Sequence, residues 1–232
     1  MSKKFAWTIV VIYAVAMAWV ESAVVVYLRT LIHRIDPYQA NPLPKFGGLA
    51  QIELGREAAT IVMLLTVGWL AGRTWRSRIA YAAIAFGVWD IFYYVLLVPM
   101  SGWPRSLFDW DILFLLPLPW WGPVIAPAAI AALMIIGGTI IAQIDEVDMP
   151  FAPRRWSMGM ALIGAMVALY VFMANAIGAA SGGMESIRTM LPTEFHWRMF
   201  GLAFMLMTMP IVDMTWQLWR KVRRIPEMER VA

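Results

Sequence analysis

Apolar residues run along this chain in long stretches and seldom alternate with polar ones. Six stretches approach the roughly 20 residues that cross a bilayer core. They fall at 5–32, 53–71, 79–98, within 123–144, 157–180 and 199–219. The pattern predicts an all-α polytopic membrane protein of about six transmembrane helices, with residues 1–232 as a single transmembrane domain. The connection between the first two stretches is the longest, roughly 20 residues, and leaves no room for a soluble domain. Lys3 and Lys4 precede the first stretch, and Ala16-Met17-Ala18 gives it the look of a signal peptide. A cleavable apolar region ends within about 15 residues. Here it continues to Ile32 with breaks only at Glu21 and Arg29, which predicts an uncleaved first span.

The run from Ile112 to Ile144 is too long for one perpendicular crossing, and Pro117, Pro119, Pro123 and Pro127 crowd its first half. Each proline removes a backbone donor and disfavours regular helix. Non-helical backbone at membrane depth survives only where protein or water satisfies it. The expectation is a Pro/Trp-rich interfacial or re-entrant segment at 111–122, before the fourth helix. The alternative is one long, tilted, kinked helix. Pro210 predicts a kink in the sixth span. Gly164, Ala168, Gly178 and Gly182 offer small surfaces for close helix contact.

Composition agrees with the pattern. The chain is 61% hydrophobic with a mean hydropathy of +0.67, and 15% of its residues are charged. Soluble domains carry nearer a quarter. Its Lys and Arg residues divide unevenly between alternate connections. Twelve (Lys3, Lys4, Arg73, Arg76, Arg78, Arg154, Arg155, Arg220, Lys221, Arg223, Arg224, Arg230) fall on one side. Seven (Arg29, Arg34, Lys45, Arg56, Arg105, Arg188, Arg198) fall on the other. The positive-inside rule then predicts a bacterial-type inner membrane protein with both termini cytoplasmic. Trp7, Trp75, Trp156, Trp216 and Trp219 would mark the inner interface, and Trp103, Trp110, Trp120, Trp121 and Trp197 the outer one. Topology accounts for the net charge of +4. No basic groove or base-stacking platform points to nucleic acid.

With no cysteine, disulfides, thiolate metal sites and iron–sulfur clusters are excluded. Two histidines, His33 and His196, give no basis for expecting haem. No lysine lies within a span to form a Schiff base. Met205 and Met209 share a helix face, but methionine also fills packing gaps, so copper handling is weakly indicated.

The chemistry lies in ionisable residues inside or beside the spans, where they are costly. Glu21, Glu53, Glu57, Asp90, Asp109 and Asp111 all fall in one half of the six-span arrangement, with Arg29, Arg56, His33, Asn175, Glu194 and His196 at a similar level. The strongest catalytic candidates are Glu21, Glu57, Asp90 and Asp111, and the same four could hold a divalent cation. Arg29, Arg56, Tyr94 and Trp103 are candidates for binding substrate, the arginines as partners or anion clamps. A purely structural reading pairs Glu21 with Arg56 and Glu57 with Arg29, and gives Asp90 the hydroxyls of Tyr93 and Tyr94. A proton relay is a third reading. Asp213 is expected to pair locally near Arg220 and Lys221.

Three function classes follow. One is a membrane-embedded enzyme acting on a lipid or isoprenoid head group by acid/base or metal-assisted chemistry. Another is a cation or proton transporter using the same acids. The third is a cofactor-free structural subunit of a larger membrane complex. The bilayer is the expected surrounding in each, with membrane-protein partners or a second copy docking on small-residue helix faces.

Overall fold

A computed structural model describes residues 2–40, 48–114, 118–145 and 151–229, leaving aside the side chains of 48–50 and 222–229. Lys45, Pro117 and Arg230 lie outside the described residues. The order is α1 (Lys3–Leu31), α2 (Gly48–Ala71), α3 (Trp75–Ser101), β1 (Trp110–Phe114), β2 (Trp120–Pro123), α4 (Ile125–Ile144), α5 (Arg155–Ala179), a 3-10 turn (Ala180–Gly182), α6 (Gly183–Thr189) and α7 (Trp197–Glu229). Among the described residues six helical segments are long and apolar enough to cross a membrane. The chain is a mostly helical, multi-pass membrane protein.

Each span begins or ends where the sequence supplies a cap or a break. Ser2 caps α1 by accepting from the Phe5 amide, and Thr74 with Ser77 forms a reciprocal capping box at the start of α3. Proline sits in the first turn of α4 as Pro127, where a helix amide has no partner to lose. The helix of α7 continues through Pro210.

The helices pack in two groups. Val10 and Ala14 of α1, Leu64 of α2 and Ile84, Ala85 and Val88 of α3 form one core, which Ala142 of α4 joins. Ala168, Val171 and Phe172 of α5 meet Phe200 and Ala203 of α7 in another, completed by Ala126 of α4 and Phe195. Helices α3 and α4 touch backbone to backbone. A Cβ on Gly87 would lie 2.5 Å from the Ala131 carbonyl oxygen, and one on Gly138 would lie 2.6 Å from that of Ala80. Gly164 plays the same part between α5 and α7, where a Cβ would meet the Ala203 oxygen at 2.6 Å. Gly178 has open space beside it and Gly182 meets only Ser186 of the next helix, so these two do not join helices as expected.

The segment before α4 is not part of a long kinked helix, since its described residues form a two-stranded ribbon. β1 and β2 pair antiparallel, with Trp110 opposite Pro123, Asp111 opposite Gly122 and Ile112 opposite Trp121. The ladder shifts register between Ile112 and Phe114. Pairing the segment with itself satisfies backbone groups that a helix interrupted by prolines would leave open. This ribbon leans on both groups of helices. Trp103 and Trp121 are buried, and Trp110 and Trp120 partly so, which makes all four packing residues. Trp75, Trp156, Trp197, Trp216 and Trp219 are exposed.

The end of the molecule away from the ribbon is tied by two buried acids. Asp145, at the end of α4, accepts from the Thr74 hydroxyl, from Arg76 Nε at 2.9 Å and from the Phe151 amide at 2.8 Å. Burial alone would raise its carboxyl, but these donors hold it below the ordinary carboxylate range. Asp213 accepts from the Arg154 amide at 2.7 Å and from Gln217 at 3.0 Å, and its ion partner is Arg154 at 3.7 Å. The expected pairing with Arg220 or Lys221 is therefore replaced by one across the α5–α7 contact. Two turns along a helix is too far for a short carboxylate, whereas the facing helix presents its first turn directly.

Candidate functional site

Helical spacing brings the candidate residues to one place. Glu21, Val25 and Arg29 recur every four residues along α1, and Glu53, Arg56, Glu57 and Thr60 follow the same face of α2. Phe86, Asp90, Tyr93 and Tyr94 do so on α3. With Asp111 of the ribbon, Ile130 and Met134 of α4 and Phe172 of α5, they line a cavity of about 300 Å³. That volume is at the lower end of small-molecule sites. Seven of the eight sequence candidates, Glu21, Glu57, Asp90, Asp111, Arg29, Arg56 and Tyr94, line it. Trp103 does not. It is buried beneath Arg29, whose guanidinium carbon lies 4.3 Å from the ring centroid, because the turn after α3 folds this indole inward.

Within the cavity the acids differ sharply in their partners. Glu21 pairs with Arg56, as the structural reading expects, and Arg56 also holds Glu53 one turn before it on α2. Thr60 adds a hydroxyl to Glu21 at 3.4 Å. Asp111 is buried and takes Arg29 at 2.8 Å, together with the Ile112 amide at 2.8 Å. Burial keeps the Asp111 carboxyl above the ordinary range despite Arg29 and these hydrogen bonds. Arg29 also reaches the Tyr93 hydroxyl at 3.5 Å. The expected Glu57–Arg29 pair is thus displaced: the ribbon brings Asp111 to Arg29, a contact across 82 residues that spacing within helices cannot reveal.

The two tyrosines do not serve Asp90 as expected. A tyrosine hydroxyl stands at the far end of a rigid ring, and that of Tyr93 reaches across to Arg29 instead of turning back to Asp90. Asp90 is left without a hydrogen bond or ion pair among the described residues, and its Oδ2 oxygen is enclosed and unpartnered. Glu57 likewise has no hydrogen bond or ion pair among them. The indole nitrogens of Trp89 and Trp120, both on the cavity wall, are buried donors without acceptors.

As a metal set the four acids are not gathered. Among the described residues no three His, Asp or Glu side chains come close enough to hold an ion. As anion clamps the arginines are occupied, Arg56 by two carboxylates and Arg29 by one. Asp109 accepts from the Arg105 and Ser106 amides and shapes the turn before β1. His33, Glu194 and His196 are exposed, and Asn175 ties the Glu194 carbonyl to α5 at 3.2 Å. The aromatic wall of Phe86, Trp89, Phe114, Trp120 and Phe172 was not singled out from sequence, where aromatic residues in apolar runs look like core. Comparison with known protein families, characterised proteins and solved structures finds no match for the chain.

Proposed function

We propose that this chain is a membrane-embedded enzyme acting on the head group of a lipid or isoprenoid amphiphile bound in the cavity of α1–α4 and the ribbon. Asp90 carries the reading. A carboxylate enclosed in an apolar interior without a partner is costly, and a ligand that supplies the partner relieves the cost. Glu57 is the second open carboxylate among the acids lining the cavity, so the pair can bind a head group and exchange a proton with it. Leu28, Ile61, Ile130 and Met134 on the same wall suit the first carbons of an apolar chain. Arg29 and Arg56 act as scaffold, fixing Asp111, Glu21 and Glu53 around the site.

In this reading both termini are cytoplasmic and the ribbon lies in or near the outer interface of a bacterial-type cell membrane, an orientation that the basic residues at the Asp145 end support. The whole chain then works as one transmembrane domain. A transporter would need polar groups continuing to the cytoplasmic end. Among the described residues the buried acids there, Asp145 and Asp213, are consumed by local hydrogen bonds. This favours a cavity that works from one side.

Mass spectrometry of lipid extracts tests the proposal. Cells producing the wild-type chain should accumulate a species with an altered head group, and cells producing Asp90→Asn at matched levels should not. Identical extracts from wild-type and empty-vector cells would remove the enzymatic reading.

A further inference from the structure

The charge balance of the cavity bears on which head group enters it, taking as its basis the reading of the cavity as the site. Five carboxylates (Glu21, Glu53, Glu57, Asp90, Asp111) line it against three guanidiniums (Arg29, Arg34, Arg56). Arg29 and Arg56 are committed to acids, and Arg34 donates to the carbonyls of Pro37 and Gln39 at 2.9 and 3.2 Å. A phosphate or carboxylate entering here would have to displace a carboxylate from Arg29 or Arg56, or backbone carbonyls from Arg34. The rings of Phe86, Trp89, Tyr93, Phe114, Trp120 and Phe172 line the same cavity as Asp90. Several are in mutual contact, Phe86 with Trp89 at 5.3 Å between centroids and Phe114 with Trp120 at 5.0 Å. Aromatic faces beside a carboxylate are the surroundings in which an ammonium ion is bound after losing its water.

We infer that the cavity recognises an ammonium-bearing head group, with Asp90 as its counter-ion and the aromatic wall as its cage. Glu57 remains for proton exchange. A compact divalent ion fits less well, since it takes six or more oxygen ligands and the acids here are dispersed.

The test uses the full chain in lipid nanodiscs, with intrinsic tryptophan emission as the signal and protein-free nanodiscs as the blank. Three probes of similar length are titrated: hexyltrimethylammonium, 1-octanol and hexyl phosphate. The ammonium should bind saturably and about tenfold or more tighter than either of the others. Asp90→Asn should abolish that preference and Asp90→Glu should keep it, with unfolding temperatures confirming that both variants are folded. Equal affinity for the alcohol or the phosphate, or a preference that survives in Asp90→Asn, would overturn the inference. If the alcohol or phosphate saturates and the ammonium does not, the cavity remains a head-group site of another class. If none saturates, the inference and the cavity reading fall together.

Discussion

Removing one member of the Arg29–Asp111 pair leaves the other charged, buried and unmatched. The Asp111 side chain is about 2% exposed and that of Arg29 12%, so solvent cannot take over the lost interaction. Asp111→Leu is expected to destabilise the protein by about 3–5 kcal/mol, while the double change Arg29→Met/Asp111→Leu recovers most of that loss. Thermal unfolding of the two singles and the double in detergent checks this, and additive losses would mean that the pair is not coupled. The candidate acids were legible in the sequence because an ionisable residue in an apolar run is conspicuous. Their partners were legible only where they are local in depth, as with Glu21 and Arg56. Asp111 is assigned to Arg29 by the folding of a distant ribbon. The unpartnered state of Asp90 follows from where two tyrosine rings point, which residue spacing does not encode.

Elements are held by contacts of two kinds, small residues along helix crossings and buried acids at turns. Gly87 lies where α3 meets the α4 backbone, so Gly87→Ala must push two helices apart, at a cost of about 1–3 kcal/mol. Gly178→Ala, facing open space, should change stability by less than about 0.5 kcal/mol. Comparing their unfolding temperatures decides whether close approach or helix propensity governs these positions. Equal shifts would count against the α3–α4 contact. Helix limits were readable from apolar run length and from caps such as Thr74. The ribbon was not, because prolines and tryptophans announce the end of regular helix without saying what replaces it. The short helix α6 was missed for a related reason, since seven polar and mixed residues carry little periodic signal.

At the scale of the whole molecule, six apolar segments were plain from the sequence, while the division into two packed groups was not. Run length says that each segment can span, but its neighbours depend on which faces carry small or large side chains. The proposed orientation has a direct check, because the chain has no native cysteine. Ser2→Cys should react with a membrane-impermeant thiol reagent only after the cells are opened, and Arg105→Cys should react in intact cells. The reverse pattern would invert the proposed topology.

The Glu21–Arg56 contact bears on how the chain enters the bilayer. Helix α2 carries Glu53, Arg56 and Glu57 near one end, and a charge placed at the middle of a lone inserting segment costs about 3 kcal/mol. Helix α1 is synthesised first and brings Glu21, which neutralises Arg56 once the two lie side by side. The first two helices would then leave the insertion machinery together as a hairpin, with α1 acting as an internal chaperone for the segment that follows it.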